Sequence, residues 1–318
     1  MKKTHIAAVI LNYNTEKDLK ICAEQIAKQE GVNLTLILVD NASRSESFES
    51  IKKWIRDWRS DAICGTEEEI HAWTNEYPDR LSHSGNVFLM KSEKNLGYSA
   101  GNNLGIRLAN KLQADAVLIA NPDMRIENPS YLAALSLHLF ADDSNYIAAS
   151  RIIGFDGKDQ NPLRDATFWE EFLWPLTAIR QRLKGNHYVQ KITSSDPVYV
   201  PKVSGCCLLL RMSFLKATDY LDENVFLFCE EPILSAKVRK AGGAILYTPE
   251  ITAVHAHIAS QKGNSGNRMQ LFIHSRLYYL QKYSGYSLWQ IKALKVSYAL
   301  LAWMHRNLAS LRSRRNVT

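Results

Sequence analysis

Three apolar runs in the first 125 residues each end on a short polar motif, and this pattern constrains the fold more than any other feature. Ile6–Leu11 runs into Asn12-Tyr13-Asn14, Leu34–Val39 into Asp40-Asn41-Ala42-Ser43, and Ala116–Ala120 into Asn121-Pro122-Asp123-Met124. Runs this short, cut off by Asn, Asp and Pro, read as buried parallel strands. In an open α/β sheet a ligand sits just beyond the carboxyl ends of such strands. Two carboxylates and several amides are therefore expected to converge on one crevice, which suits a nucleotide and a metal ion.

Helical spacing fills the gaps between these runs. Leu19, Cys22 and Ile26 follow Thr15-Glu16-Lys17-Asp18, which resembles a capping box, so a helix is expected to about Gln29. A second helix is expected around Phe48–Trp58 and a strand at Val87–Met90. The turn Asn95–Asn103 opens a helix through Leu112 that buries Leu104, Leu108 and Leu112. The polar residues from about Arg59 to Gly85 read as a surface excursion. Strand alternating with helix predicts an α/β fold, Rossmann-like, with a mostly parallel sheet and helices on both faces. Past residue 125 the pattern predicts a helix at Tyr131–Phe140, a strand at Tyr146–Ile153 and a turn at Gly154–Gly157. An aromatic, basic segment, helical or loop, spans 166–184. Short strands follow at Val198–Val200 and Cys206–Leu210, then a helix at Glu230–Ala241 ended by Gly242-Gly243. A last strand is expected at Ala244–Tyr247, with Ile251–Val254 extended after it, and helix from Met269 onward.

Composition narrows the function classes. A charged fraction of 22% and an apolar fraction of 46% exclude wholesale disorder. The net charge of +7 favours phosphate-bearing or anionic partners, but no nucleic-acid reading motif accompanies it, so no nucleic-acid partner is expected. Five cysteines without a CxxC spacing signal neither a zinc knuckle nor a redox pair. The first apolar run is too short for a signal peptide, and no apolar stretch is long enough to cross a bilayer. Reduced thiols and a cytoplasmic location, at the inner face of a membrane if any, are the expectation. No GxGxxG follows the first strand and no GxxxxGK[ST] exists, which speaks against a dinucleotide-dependent dehydrogenase and excludes a P-loop.

Each candidate site residue has a functional role and a plainer one. Asp123 follows a proline at a strand end, so its carboxylate either serves a hard divalent cation together with phosphate oxygens or caps the next turn. Asp40-Asn41 either meets a base or ribose or makes ordinary turn contacts. The turn at Asn95, Gly97 and Gly101 offers small residues and backbone N–H groups at a helix start, which favours anions. Glu230 and Glu231 open a helix, either as a general base and its neighbour or as complements to the helix dipole. His255 and His257, two apart in an extended segment, share one side and serve as metal or phosphate ligands or as packing. No third ligand stands at zinc-site spacing.

Taken in order, Val9–Asn14, Val39–Ser43, Asn95–Gly105, Asn121–Asp123, Ser204–Cys206, Glu230-Glu231 and Pro249–His255 resemble the family 2 glycosyltransferases, in particular their rhamnosyltransferase-like bacterial polysaccharide and lipopolysaccharide branch. The resemblance covers roughly residues 5–285. It implies a GT-A fold, a nucleotide-diphosphate sugar donor (UDP- or dTDP-linked), Mg²⁺ or Mn²⁺, and a glycan or lipid-linked acceptor. It implies that Asp40 contacts the base, and that Asn12, Asn14 and the Asn95–Gly101 turn line the nucleotide pocket. Asp123 matches the metal-binding acid of the DxD-type motif, with Asn121 in place of its first acid. His255 matches a histidine near the diphosphate and metal. Glu231 stands where an Asp base is usual, which leaves Glu230 or Glu231 as the base, and Ile233 replaces an acid common two places later. The implied reaction is a single inverting displacement. The alternatives are a sugar nucleotidyltransferase, which would want a Gly-rich basic loop after the first strand, and a non-catalytic nucleotide-sugar-binding or scaffold protein.

The domain division expected is a catalytic domain at 1–265, with a nucleotide-binding half (1–125) and an acceptor half (126–265), followed by a helical segment at 266–318. In that segment Ile291, Leu294, Tyr298, Leu301, His305 and Leu308 fall at helical spacing among basic residues and tryptophans. This row either lies on an anionic leaflet or packs on the protein.

Overall fold

The computed structural model describes residues 3–77, 85–184, 188–256 and 265–315. In chain order its elements are β1 (His5–Asn12), α1 (Glu16–Ile26), β2 (Asn33–Asp40), α2 (Ser45–Trp58), β3 (Ile63–Thr66), α3 (Glu67–Glu76), β4 (Val87–Lys91), α4 (Gly97–Lys111) and β5 (Ala116–Ala120). Then come β6 (Met124–Arg125), α5 (Tyr131–Phe140), β7 (Asn145–Gly154), α6 (Phe168–Phe172), α7 (Trp174–Lys184), β8 (Val198–Tyr199), β9 (Cys207–Arg211) and α8 (Met212–Ala217). The chain continues through α9 (Glu230–Lys240), β10 (Ala244–His255), α10 (Ser265–Lys282) and α11 (Leu288–Arg315).

One sheet runs through the molecule in the order β3-β4-β2-β1-β5-β9-β7-β10-β6, with β8 on β10. The first five strands in that order are parallel, as expected from the alternating pattern. β9 enters antiparallel between β5 and β7, so the two halves of the chain share a continuous sheet. Strand alternation builds two cores. Ile6, Ala8 and Ile10 of β1 meet Leu19, Ile26, Ile51, Ile55, Tyr131 and Leu135 from α1, α2 and α5. Ala7 and Val9, one residue out of phase, meet Leu104, Leu108, Phe214 and Val238 from α4, α8 and α9 on the other face. Each fully buried Ile or Leu in these layers contributes about 1.5–3 kcal/mol relative to exposure. A third cluster joins Phe168, Val225, Cys229, Ile233, Tyr279, Leu280, Leu294 and Tyr298 where α6, α9, α10 and α11 meet.

Several sequence expectations change here. Residues 59–85 are not all excursion: β3 adds an edge strand to β4 and α3 follows it. The signal was present in Thr66 and Glu69, which form a reciprocal capping box. The weak apolar pattern hid it, because β3 has no fully buried residue and α3 buries only Ile70 and Thr74. Thr15, by contrast, makes no cap bond: its Oγ1 donates to Asn12 Oδ1 at 2.9 Å, and Asp18 pairs with Arg125. α1 ends at Ile26, three residues before Gln29. The expected strand at Ala244–Tyr247 and the extension after it are one strand, β10, interrupted between Thr248 and Thr252, where Pro249 cannot donate to the ladder. α8 was not foreseen. His257 lies outside the described residues.

Candidate active site

The parallel strands end side by side, and the site grows from their ends. Asn12 closes β1 and Asp40 closes β2 in the same register. Both are fully buried. Asn12 Nδ2 donates to Asp40 Oδ1 at 2.9 Å and to Ser43 Oγ at 3.0 Å, while Ser43 N donates to Asp40 Oδ2 at 3.1 Å. Asp40 therefore sits beneath the rim as the anchor of the 40–43 loop. Asn14 adopts φ 56° and accepts the Arg44 N–H at 2.8 Å, fixing the neighbouring loop.

The turn before α4 is tied to this loop by Asn41, for which the sequence offered a base or ribose contact or ordinary turn chemistry. Asn41 Nδ2 donates to Asn95 Oδ1 at 3.0 Å and to Gly97 O at 3.1 Å, and Asn41 Oδ1 accepts the Leu96 N–H at 2.9 Å. The Gly97 and Tyr98 N–H groups donate to Asn95 Oδ1 and Phe226 O, both at 2.9 Å. The Leu96, Gly97 and Tyr98 N–H groups of the turn expected to meet an anion are thus satisfied inside the protein, and the turn shapes a wall. Gly97, at φ +80°, is required by sterics: a Cβ there would lie 2.1 Å from Phe226 O. Gly101 serves helix packing, since a Cβ would lie 2.7 Å from Leu11 Cδ1.

Asn121-Pro122-Asp123 leaves β5 in a turn closed by Met124 N donating to Asn121 O at 3.1 Å. Asn121 N donates to Cys206 O at 2.8 Å, which docks the turn against the start of β9. β6 then pairs antiparallel with the end of β10, placing Met124 opposite His255. Ala256 N donates to Asp123 O at 2.7 Å. As a result His255 Nε2 stands 3.2 Å from Asp123 Oδ1, while His255 Nδ1 bonds Gln160 Oε1 at 2.7 Å. With Nδ1 engaged by Gln160, Nε2 is the ring nitrogen that faces the Asp123 carboxylate. Two such donor atoms suit a shared divalent cation. Among the described residues no group of three or more His, Cys, Asp or Glu could hold an ion alone. Mg²⁺ and Mn²⁺ do not need one, because substrate phosphates and water complete their shells.

Glu230 and Glu231 occupy the first turn of α9. Phe228 and Cys229, just before them, both have positive φ, 73° and 67°. Non-glycine residues in this region cost on the order of 1–3 kcal/mol each and gather at functional sites. Glu231 Oε1 accepts the Gly205 N–H at 3.3 Å, and Tyr98 OH donates to Gly205 O at 2.5 Å. Glu230 Oε1 is buried and has no hydrogen-bond partner among the described residues. Burial first, and then the adjacent Glu231 charge, push the Glu230 carboxyl well above its ordinary range.

Asn121, Gly205, Glu230, Glu231 and His255 line one cleft of about 460 Å³, together with Tyr98, Phe272 and Arg276. The structure thus brings Asn121, Asp123, His255, Glu230 and Glu231 together, with Asp40 and Asn12 set deeper behind the neighbouring strand ends. Arg276 was missed, although Phe272, Arg276, Tyr279 and Leu280 fall on one helical row and so place a cation on the buried face of α10. Its guanidinium pairs with Glu171 of α6, both partners being buried.

The model for glycosyl transferase family 2 matches residues 7–217. Among curated relatives, the chain is 25% identical over 302 residues to the low-salt glycan biosynthesis hexosyltransferase Agl10 of Haloferax volcanii, covering 94% of this chain and 83% of that one. It is 27% identical over 199 residues to the N-acetylglucosaminyl-diphospho-decaprenol L-rhamnosyltransferase of Mycobacterium tuberculosis, covering 56% of this chain and 61% of the relative. Similar solved structures include GalNAc-T7 with UDP, GalNAc and Mn²⁺ (TM-score 0.59, 16% identity, 87% of this chain but 48% of that one). Another is the mannosyltransferase PcManGT of Pyrobaculum calidifontis with GDP-Man and Mn²⁺ (TM-score 0.53, 14% identity, 100% and 84%).

Proposed function

The chain belongs to glycosyl transferase family 2 and is a glycosyltransferase with a GT-A fold, and from that premise we propose that it transfers a sugar, with inversion, from a nucleotide-diphosphate donor to a hydroxyl of a glycan or lipid-linked acceptor. The process served is surface polysaccharide or glycan synthesis. The observation that carries this reading is a cleft lined by Asn121, His255, Glu230 and Glu231, with Asp123 Oδ1 held 3.2 Å from His255 Nε2. We assign catalysis to residues 1–265 and a supporting role to the helical segment 266–318.

The nucleotide side is the strand-end rim of Asn12, Asn14, Asp40, Asn95, Gly97 and Asn121, with Gly101 packing α4 behind it. Asp40 and Asn95 act there through the loops they hold in place. Asp123 and His255 would hold a Mg²⁺ or Mn²⁺ ion, which supplies positive charge to the departing diphosphate. Glu231 is the base. Its carboxylate is oriented by the Gly205 N–H and takes the acceptor hydroxyl proton as that oxygen bonds to the anomeric carbon. The bond from that carbon to the phosphate oxygen breaks on the opposite face, and the nucleoside diphosphate leaves. Tyr98 holds the carbonyl of Gly205, the residue whose N–H orients the base.

A donor panel of UDP-, dTDP- and GDP-sugars with Mn²⁺, followed by NMR of the product linkage, tests this. The expected product has the anomeric configuration opposite to that of the donor. Retention would overturn the single-displacement mechanism, and hydrolysis-free binding without transfer to any hydroxyl would overturn the enzymatic role of Glu231.

A further inference from the structure

The row at Ile291, Leu294, Tyr298 and Leu301 does not present its apolar side chains outward as one stripe: Leu294 and Tyr298 are buried in the third cluster and Leu301 packs against it. The opposite row of α11 is the exposed one. Trp289, Val296, Leu300 and Trp303 are 60%, 71%, 52% and 58% exposed, and at about 100° per residue they fall within one narrow face. A second exposed row lies on α6 and α7, with Trp169, Leu176, Ile179 and Leu183 between 58% and 78% exposed. The rows meet at Phe168, whose ring makes edge contacts with both Trp169 (5.0 Å) and Trp289 (5.3 Å). Exposed apolar area gathered on one face of this kind marks an interaction surface.

Charge distribution identifies what the surface faces. Residues 251–318 contain ten Lys or Arg and no Asp or Glu, leaving 29 Lys or Arg against all 32 Asp and Glu in the residues before them. α7 also has no acid and carries Arg180, Arg182 and Lys184. The two acids of α6 are turned onto arginines, Glu170 to Arg164 and Glu171 to Arg276. Interface-prone tryptophans and aliphatics on helices that carry no acid (α7, α11) or turn their acids onto arginines (α6) match an anionic bilayer rather than an acidic protein groove, because they offer area without fixed polar complementarity. Glu171 also accepts from Tyr298 of α11 at 2.7 Å, and Arg276 lines the cleft, so this face is built onto the wall of the active site.

We infer that the outer face of α6, α7 and α11 seats the protein on an anionic phospholipid surface, with the cleft opening beside the headgroups. The surface acts without donor or acceptor, so its test is separate from that of the transfer reaction.

The full chain, without nucleotide, is floated with phosphatidylcholine vesicles and with vesicles containing about 30% phosphatidylglycerol. Binding is expected to the anionic vesicles, with a blue shift of tryptophan emission, and to weaken at about 0.5 M NaCl. The double variant Leu300→Glu/Trp303→Glu is expected to bind at least tenfold more weakly while its circular dichroism and donor binding stay unchanged. The single variant Val296→Glu provides a second reading should the double variant misfold. Absence of flotation with anionic vesicles, equal binding by the folded variants, or a loss of self-association in place of vesicle binding would each overturn the inference.

Discussion

Glu231→Gln is expected to lower kcat by about 10²–10⁴-fold with donor affinity nearly unchanged. The amide keeps the size of the side chain and can still meet the Gly205 peptide, but it cannot accept a proton as the acceptor oxygen attacks. Glu230→Gln is expected to behave in the opposite way: most of the turnover survives and stability rises. Burial and the Glu231 charge raise the folded-state pKa of Glu230 above that of an unfolded carboxyl. Folding then takes up a proton at pH values where the unfolded chain has released it, so stability falls as pH rises from the ordinary carboxyl range toward the raised value, and levels off above it. Removing that carboxyl is therefore expected to raise Tm by a few degrees at about pH 8 and by much less at about pH 4. Steady-state kinetics with calorimetric donor titration checks the first variant, and thermal melts at the two pH values check the second. If Glu230→Gln, not Glu231→Gln, abolishes turnover, the assignment of the base is reversed.

The largest stability loss is expected from Arg276→Met. Arg276 Nε donates to Glu171 Oε2 at 2.9 Å, its second nitrogen bonds the other oxygen, and Tyr298 OH donates to the same carboxylate. Glu171 and Arg276 are only 7% and 9% exposed. Deleting one member of a buried pair leaves an uncompensated charge, at a cost of about 3–5 kcal/mol. Arg276→Met therefore should unfold at markedly lower denaturant, whereas Arg276→Met combined with Glu171→Leu should recover much of the loss, since replacing both partners with apolar groups is commonly near neutral. Because the pair ties α6 to α10 and α11 beside the cleft, the single variant should also lose activity. Chemical denaturation of the two variants distinguishes a buried ion pair from a dispensable surface contact.

The nucleotide half was legible because its strands carry strong local signals. β5 was read at its full extent, and β1, β2 and β4 to within a residue or two, since each holds four or five buried apolar positions and β1, β2 and β5 run straight into Asn or Asp. The pairing of Asp123 with His255 was accessible only through the family resemblance. The two are 132 positions apart and meet because β6 and β10 pair, a register that no local pattern specifies. β3 and α3 were missed because edge elements bury too little to print a period. Arg276 was missed, and the partners of Asn41 were not foreseen, for a different reason. Each connects segments distant in sequence, so its value lies in partners that only the folded chain assembles.

The central claim is that strand-end residues gather a cation-assisted diphosphate site facing Glu231, and the most direct measurement is calorimetric titration of a UDP- or dTDP-sugar into the wild type and Asp123→Ala, each with and without Mn²⁺. The account predicts that Mn²⁺ strengthens donor binding to the wild type at least tenfold and leaves Asp123→Ala unaffected. Equal donor affinity in all four titrations would contradict it.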